Sequence, residues 1–285
     1  MKTNRKILAV LAHPDDETFG IGGTLAYYAK RDVSIYVICA TRGEAGDVDN
    51  EYLEGFSSVA ERRVFELNCA SKVLGINEPI LLNYRDSGMN GSKDNGHPNA
   101  LKNATVEKVV YDIVRKIREI KPQIVITFDP IGGYCHPDHV AIHNATVKAF
   151  EYAGQNEYVT EGLLPYQPQR LYLSTFAKRS MRWLIKIWSL LGKDPHRYGR
   201  NHDIDLVSIA RFDYPVHIKI DYRSVQKIRD RASACYESQG GKNINRNIFG
   251  WIRKLLGNKE SFMQAYPEPL DSIVERDLFY DMDLD

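Results

Sequence analysis

The 285-residue sequence has few cysteines and almost no excess of charge, and each shortage argues against certain classes of protein. Its four cysteines, Cys39, Cys69, Cys135 and Cys235, are widely spaced and form no C-x-x-C pair. This spacing indicates neither a disulfide framework nor a thiolate zinc site, so we expect reduced and mostly buried thiols. The 38 lysines and arginines balance 37 aspartates and glutamates, which leaves a net charge of +1. Without an overall basic field, nucleic acid is not an expected partner.

Long hydrophobic runs are also missing. No apolar run approaches the roughly 18 residues that a membrane-spanning helix needs, and the first 16 residues turn polar too soon for a signal peptide. We therefore expect a cytoplasmic protein. Two basic-apolar segments, 177–206 and 240–256, are compatible with peripheral membrane contact, but burial of one apolar stripe within the domain is the favoured interpretation. No stretch identifies an oligomer interface, which leaves homo-oligomerisation open.

What the sequence does contain is an alternation of short β-branched or apolar runs with amphipathic stretches. The predicted strands of the first half are 6–12, 33–39, 79–82 and 124–128. The predicted helices between and after them are 19–30, 58–74, 105–120 and 140–152. Repeated βα units build a parallel sheet that is covered by helices. The sequence therefore predicts an α/β fold with a Rossmann-like, mostly parallel sheet and helices on both faces.

The second half of the chain is less regular. Its predicted elements are two strands and a helix, at 170–174, 215–222 and 223–236. The two basic-apolar segments do not fit the βα rhythm, and we interpret them as inserts or a lid that shapes the substrate pocket. The acidic end, 271–285, is predicted to be a partly ordered tail. We predict one domain over 1–285, with the Rossmann-like core in 1–152 and the C-terminal strands, helix and inserts in 153–285.

Two similar polar clusters follow predicted strands. The first strand runs into Ala12-His13-Pro14-Asp15-Asp16-Glu17. The fourth strand is followed by a loop that contains Gly132-Gly133-Tyr134-Cys135-His136-Pro137-Asp138-His139. Ligands of open α/β sheets bind beyond the carboxyl ends of the strands, so both clusters converge if the two strands are neighbours. Two imidazoles and one carboxylate suit Zn²⁺ or Fe²⁺ with an open position, which indicates catalysis.

Some residues of these clusters, and some polar residues outside them, also have a simpler interpretation. Asp16 could cap the helix that follows it without binding any metal. Arg63 and Glu66 lie one helical turn apart and could form only an exposed ion pair. His143 lies four residues after His139, so it is a further candidate ligand, although we favour a surface or supporting role. The joint occurrence of the two clusters favours the metal-site interpretation over helix capping.

The motifs A-H-P-D-D-E and G-G-Y-x-H-P-D-H, in that order, resemble those of the PIG-L/LmbE family of zinc-dependent N-acetylglucosaminyl deacetylases. Further similar segments begin at Thr41, Arg63, Tyr84 and Ser238. The resemblance is best over about residues 5–150 and looser beyond them. The chain departs from the pattern at Tyr236, where many family members have a histidine.

The resemblance implies a metal site and a catalytic base. By motif position, the metal ligands are His13, Asp16 and His139. The implied cofactor is Zn²⁺, with Fe²⁺ or another divalent metal as alternatives. Asp15, the neighbour of a ligand, is then the general base that takes a proton from metal-activated water.

The resemblance also assigns the surrounding groups. His136 is the implied donor to the tetrahedral oxyanion, and Tyr134 is an additional donor or proton source. Asp138 is expected to hold His136 in its tautomer and to favour the cationic imidazole. The implied substrate contacts are Arg63, Asp86 and Glu44.

The implied function is that of a metal-dependent hydrolase that removes acetyl from an N-acetylglucosamine-type sugar conjugate. Its expected partner is therefore a small-molecule amino-sugar conjugate. Within the enzyme class, an alternative is an amidase for a larger amide, such as a thiol-sugar conjugate. An Fe²⁺ oxygenase is a second alternative, because two histidines and one carboxylate also form the facial triad. A non-catalytic sugar-binding homologue is a third.

Overall fold

The structure is a computed structural model that describes residues 4–175, 178–197, 204–243, 257–269 and 273–282. Its strands are β1 Lys6–Leu11, β2 Ser34–Thr41, β3 Ile80–Tyr84, β4 Ile124–Phe128, β5 Arg170–Thr175, β6 Ile218–Asp221 and β7 Lys259–Tyr266. Its α-helices are α1 Asp16–Phe19, α2 Gly22–Ala29, α3 Val59–Leu74, α4 Val106–Ile120, α5 Gly132–Cys135, α6 Pro137–Ala153, α7 Lys178–Leu190, α8 Leu206–Ile209 and α9 Gln226–Ala234. Short 3-10 turns lie at Asn50–Leu53, Lys93–Gly96, Leu101–Asn103, Arg223–Val225, Glu237–Gln239 and Gly241–Asn243.

The strands form one sheet in the order β3-β2-β1-β4-β5-β7-β6. β1 pairs in parallel with β2 on one side and with β4 on the other, and β4 pairs in parallel with β5. β7 alone runs antiparallel to its neighbours, β5 and β6. The strand order reverses between β1 and β4, and ligands of open α/β sheets bind at such a reversal. The neighbouring positions of β1 and β4 therefore meet the condition for the two polar clusters to converge.

The core explains why β1 is apolar on both faces. Ile7, Leu8, Ala9 and Val10 are all fully buried. Helices α4 and α6 pack against each other, and α2, α3 and α9 form a second group of packed helices. In α4, buried valines and isoleucines recur every three or four residues, so one stripe of that helix faces the core. The predicted α/β class and the mostly parallel sheet are confirmed.

Several elements differ from the sequence-based prediction. The predicted strand 215–222 is a strand only over Ile218–Asp221, which is β6. The predicted helix 19–30 consists of two helices, α1 and α2, with Gly20 and Ile21 between them. The predicted helix 223–236 begins with a 3-10 turn and is α-helical only as α9. Strand β7 is absent from the prediction because its only buried side chains are those of Phe262 and Gln264, one of them polar. That composition gives a weak alternation signal.

The cysteines contradict the expectation of reduced thiols. Cys69 on α3 and Cys235 just after α9 form a disulfide, with their Cα atoms 5.8 Å apart. Cys39 is buried and Cys135 is half-buried, and both are free. The bridge joins positions 166 residues apart and depends on the packing of α3 against α9. Sequence spacing alone carries no information about such a long-range contact.

The acidic end is docked where the structure describes it. Leu278 and Phe279 are buried, and the hydroxyl of Tyr28 on α2 donates to Asp277 Oδ1 at 2.7 Å. Of the two predicted inserts, 177–206 contains α7, whereas most of 240–256 lies outside the described residues. None of the helices in the described ranges combines the length and the apolar character that crossing a bilayer requires.

Candidate metal centre

The loop after β1 sends two adjacent carboxylates in different directions. Asp15 has φ 112° and ψ −25°, a left-handed conformation that costs roughly 1–3 kcal/mol for a residue with a side chain. Asp16 begins α1, and its Oδ2 accepts the backbone N–H groups of His13 at 2.7 Å and Ala12 at 3.2 Å. Its other oxygen, Oδ1, lies 3.2 Å from His139 Nε2. Neighbours in sequence therefore meet different partners.

A glycine turn shapes the loop after β4. Gly132 has φ 65°, and a Cβ at this position would lie 2.6 Å from the Cβ of His139. Any larger residue would therefore displace the imidazole. His136 caps α6, and Pro137 occupies the first turn, where its missing N–H costs nothing. The helix thus carries His139 within its first turn, directly beside the end of β1.

The side chains of three potential ligands meet between the ends of β1 and β4. His13 Nδ1 lies 3.1 Å from His139 Nε2, and Asp16 Oδ1 lies 3.2 Å from the same nitrogen. His13 Nδ1 lies 3.6 Å from Asp16 Oδ2. Ligand atoms around a tetrahedral zinc ion, with bonds of roughly 2.0–2.1 Å, are about 3.3 Å apart. The spacing of these three side chains is therefore close to that of the ligands of a divalent metal.

Hydrogen bonds on the far side of each ring set the tautomers of the two imidazoles. His139 Nδ1 lies 3.1 Å from the carbonyl oxygen of Gly132, which can only accept, so Nδ1 carries the hydrogen. His13 Nε2 lies 3.1 Å from Asp138 Oδ2, so Nε2 carries the hydrogen of that ring. When both rings are neutral, the other nitrogen of each ring presents a lone pair toward Asp16. Three acceptors that face one another favour a cation between them.

The surrounding carboxylates make this position receptive to positive charge. Burial disfavours a charged imidazole at His13, but Asp86, Asp138 and Asp16 together raise the pKa of His13 well above its usual value. Burial alone would raise the pKa of Asp16, but His139 and His13 outweigh it and hold this pKa below the usual range. The same carboxylates would stabilise a divalent ion.

The carboxylate of Asp138 does not pair with the His136 ring as predicted. It contacts His13 and accepts the backbone N–H of Ser87 at 2.9 Å, whereas the backbone N–H of Asp138 donates to His136 Nδ1 at 3.2 Å. The cause is the start of α6, where His136 accepts as the cap and Asp138 is fully buried against β1. Burial, reinforced by the charge of His13, lowers the pKa of His136 to about 2. The expected cationic form is therefore wrong, and the ring is neutral with its hydrogen on Nε2.

Asp15 shares the site with Arg63. Asp15 Oδ2 accepts from Arg63 Nη2 at 2.9 Å, and the same guanidinium donates to the carbonyls of Pro14 at 2.5 Å and Gly43 at 3.2 Å. Burial raises the pKa of Asp15 to about 7, while Arg63 opposes the rise and Asp16 adds to it. A carboxyl group that titrates near neutrality suits general base catalysis.

Glu66 and His143 have partners that the sequence spacing did not indicate. Glu66 accepts from Arg62 Nε at 3.0 Å, so its partner is not Arg63. His143 Nδ1 lies 2.8 Å from the carbonyl oxygen of Phe128, which directs this ring nitrogen to the end of β4.

A cavity of about 380 Å³ opens over the site. The predicted site residues that line it are His13, Asp15, Arg63, Asp86, Tyr134 and His136. Its other lining residues are Ala45, Gly46, Asp47, Gly88, Met89, Ser92, Ile204 and Gln239. Glu44 instead accepts the backbone N–H of Asp86 at 3.0 Å, so it supports the loop. Burial raises the pKa of Tyr134 well above its usual value, which keeps the hydroxyl available as a donor.

Two residues of the second half of the chain contribute to the site without having been predicted as site residues. Gln239 lines the cavity, and the Tyr236 hydroxyl donates to Glu17 Oε1 at 2.7 Å, next to Asp15. Tyr236 and Glu17 are 219 residues apart, so no local pattern links them. The available signals were the motif position of Glu17 and the late segment that contains Ser238 and Gln239.

The family model described as PIG-L, GlcNAc-PI de-N-acetylase, matches residues 8–150. The chain is also similar to the 1D-myo-inositol 2-acetamido-2-deoxy-alpha-D-glucopyranoside deacetylase of Rhodococcus jostii. The two are 39% identical over 246 residues, which cover 83% of this chain and 82% of the relative.

Solved structures with the same fold include two different enzymes. The N,N'-diacetylchitobiose deacetylase of Pyrococcus horikoshii has a TM-score of 0.64 and 19% identity, and the match covers 91% of this chain and 83% of that one. The 4-carboxy-2-hydroxymuconate hydratase of Pseudomonas putida has a TM-score of 0.60 and 15% identity, with coverage of 94% and 98%. At such identities the likeness shows the fold alone, and the fold by itself does not determine the reaction.

Proposed function

The chain belongs to the PIG-L family of GlcNAc-PI de-N-acetylases, and on that premise we propose that it is a metal-dependent N-deacetylase. It removes the acetyl group from an N-acetylglucosamine-type sugar conjugate and releases acetate and a free amine. One observation carries the proposal. Three side chains that can bind a metal, those of His13, Asp16 and His139, converge at the switch point of the sheet, and the carboxylate of Asp15, whose pKa is raised to about 7, lines the cavity beside them.

In this proposal His13, Asp16 and His139 hold the divalent ion. Two nitrogens and one carboxylate oxygen suit Zn²⁺ first and Fe²⁺ second. His136 also offers a nitrogen within 4.8 Å of those of His13 and His139, a grouping that does not contain Asp16. We assign His136 to a donor role because its Nδ1 already accepts the backbone N–H of Asp138. When bound, the ion would supply Lewis acidity toward the amide carbonyl and lower the pKa of an attacking water.

A further grouping of possible ligands, His13 with Asp86 and Asp138, is better explained as support for the proposed ligand His13. Asp86 Oδ1 already accepts the N–H of Gly88 at 2.8 Å, and Asp138 accepts that of Ser87. Both carboxylates lie against the hydrogen-bearing Nε2 of His13. Such partners orient a metal-binding imidazole and increase its basicity.

Asp15 acts as the general base. Its ionised carboxylate takes a proton from the attacking water, and its raised pKa of about 7 matches a group that must give the proton up again near neutral pH. The ion pair with Arg63 fixes the carboxylate at the cavity wall. The same proton then becomes available to the leaving amine nitrogen.

His136 and Tyr134 face the charge that develops on the carbonyl oxygen. Because His136 Nδ1 accepts the N–H of Asp138, its Nε2–H is the free donor of a neutral imidazole. The Tyr134 hydroxyl stays protonated and lines the same cavity. Donors that are fixed before the reaction stabilise an oxyanion without a reorganisation cost.

The substrate proposal follows from the cavity lining. Asp86, Asp47, Ser92 and Gln239 supply polar groups suited to sugar and polyol hydroxyls. The Rhodococcus jostii relative is named for an inositol glycoside of N-acetylglucosamine, and we propose a glycoside of that class for this chain. Because Gln239 completes the cavity, residues 1–285 act as one catalytic domain in this proposal.

The test measures the free amine and the acetate released from a panel of amides by the purified protein, before and after chelation and add-back of Zn²⁺ or Fe²⁺. The panel contains N-acetylglucosaminyl-inositol, N,N'-diacetylchitobiose and a thiol-sugar amide. We expect chelator-sensitive acetate release from the glycosides that does not depend on oxygen. Cleavage of the thiol-sugar amide alone would favour the larger-amide amidase, and a requirement for oxygen would favour an oxygenase. Sugar binding without turnover in the metal-loaded protein would favour a non-catalytic homologue.

A further inference from the structure

A third carboxylate of the first motif, Glu17, is buried and does not line the cavity. Its Oε2 accepts the backbone N–H of Asp15 at 3.0 Å. Its Oε1 accepts the hydroxyls of Tyr236 at 2.7 Å and Thr18 at 2.5 Å. All of these partners are donors, so the carboxylate connects the backbone of the proposed base to a residue near the other end of the chain.

The bond to the Asp15 N–H matters because this residue has an unfavourable backbone conformation. A φ of 112° persists in a residue with a side chain only where neighbouring contacts hold it. The carbonyl of Asp15 is fixed by the N–H groups of Thr18 at 3.0 Å and Phe19 at 2.8 Å. Glu17 supplies the corresponding constraint on the amino side. Together these bonds determine where the Asp15 carboxylate leaves the backbone.

Tyr236 is fixed independently of the loop that it supports. Its side chain is fully buried, and its carbonyl accepts the N–H of Gly241 at 2.8 Å. The preceding residue, Cys235, is linked to α3 by the disulfide. Two residues later, Ser238 donates to Glu66 on α3 through its backbone N–H at 2.9 Å and its hydroxyl at 2.7 Å. The Tyr236 hydroxyl is therefore a fixed anchor for Glu17.

We propose that Glu17 and Tyr236 are positioning residues that hold the Asp15 backbone in its left-handed conformation and so keep the base carboxylate at the cavity wall. Neither residue lines the cavity. They act through Asp15 only. The inference rests on the proposed deacetylase function for its catalytic consequence, but the positioning itself is a property of the folded chain.

The central test is Tyr236→Phe, which removes one hydroxyl and keeps the ring. The matched control is Tyr172→Phe, because Tyr172 is also fully buried and its hydroxyl also makes one short bond, to the Leu278 carbonyl at 2.8 Å. We expect Tyr236→Phe to lower kcat roughly tenfold, the loss typical of a buried hydrogen bond to a charged group. KM and metal content should stay within about twofold of wild type. Tyr172→Phe should leave kcat unchanged.

Replacement of Glu17 separates positioning from simple packing. Glu17→Gln keeps an acceptor for the Asp15 N–H, so it should retain most of kcat. Glu17→Leu removes the acceptor and should lose more kcat than Tyr236→Phe does, because the Asp15 backbone is then held on one side only. Equal losses in Gln and Leu, or a fall in metal content that accounts for the loss of kcat, would overturn the proposal.

A readout without substrate distinguishes failure of this inference from failure of the proposed function. Backbone amide exchange at Asp15, followed by NMR, should accelerate in Tyr236→Phe and stay unchanged in Tyr172→Phe. If wild type releases no acetate, the deacetylase proposal fails, and faster exchange at Asp15 still supports the positioning role. Unchanged exchange together with wild-type kcat in Tyr236→Phe would refute the positioning role and leave the deacetylase proposal intact.

Discussion

The tripeptide His-Pro-Asp occurs twice at the site and has opposite uses in the two places. In the first copy, His13 Nδ1 faces the other candidate ligands and Asp15 lines the cavity. In the second copy, His136 lines the cavity and Asp138 is fully buried behind His13. Both histidines line the cavity, but only the acid of the first copy, Asp15, does so, whereas Asp138 is fully buried.

The difference comes from the backbone that follows each proline. The second copy begins the 17-residue helix α6, so Asp138 takes regular helical geometry and points toward the sheet. The first copy leads into the four-residue α1, and Asp15 has a φ of 112°. The two histidines therefore differ in protonation behaviour. Against the effect of burial, Asp86 and Asp138 raise the pKa of His13 well above its usual value, whereas burial lowers the pKa of His136 to about 2.

The largest expected effect contrasts the two aspartates by the same substitution. Asp15→Asn should lower kcat by roughly 10²–10⁴-fold, because the base is lost, while metal content stays near wild type. Asp138→Asn should instead weaken metal affinity by roughly 10–100-fold, because the partner of His13 is altered. Steady-state kinetics and metal titration measure both. Similar profiles for the two variants would remove the contrast.

For the two histidines, we expect the substitution in the first copy to remove the metal and the substitution in the second copy to lower kcat. His136→Asn keeps a good helix cap and loses the imidazole donor, so kcat should fall roughly 10²–10³-fold with metal retained. His13→Asn should lose metal and activity together, since only two proposed ligands remain. Metal analysis of the purified variants decides the matter. Full metal occupancy in His13→Asn would exclude that residue as a ligand.

A smaller effect on metal affinity is expected from replacement of Gly132, the glycine that precedes the second copy. Gly132→Ala places a Cβ 2.6 Å from that of His139, so metal affinity should fall about tenfold through displacement of the imidazole. Gly162→Ala is the control, because it has a similar φ of 72° and no atom within 4 Å of an added Cβ. It should cost stability alone. Equal metal affinity in the two variants would contradict the proposed displacement.

The smallest expected effect concerns the residue two positions after each aspartate, which is Glu17 in the first copy and Val140 in the second. Burial raises the pKa of Glu17 to about 7 in the folded protein. Between the unfolded pKa and this value the folded state binds the extra proton, so stability falls as pH rises. The stability difference between wild type and Glu17→Gln should therefore shrink by about 1–3 kcal/mol from pH 4.5 to 7. Denaturant unfolding of the metal-free proteins at both values tests this sign.

Parts of the fold and of the site could be predicted from the sequence, and others could not. The periodicity predicted β1, β4 and the α/β class, because strands buried on both faces leave a strong apolar signal. The two clusters were recognisable because each is contiguous in the chain. The contact of Asp138 with His13 could not be predicted, since it depends on the direction in which α6 leaves its loop. The Cys69–Cys235 bridge and the bond from Tyr236 to Glu17 were out of reach because they join distant parts of the chain.

The place of β7 in the sheet has a consequence for how the protein is made. β6 pairs along its length with β7, and Glu260 on β7 accepts the N–H groups of Gly23 at 2.9 Å and Thr24 at 2.7 Å at the start of α2. When both motifs have been synthesised, the strand that joins β6 to the rest of the sheet has therefore not yet been synthesised. We expect a gene truncated before codon 259 to encode every proposed catalytic group and still yield no working enzyme.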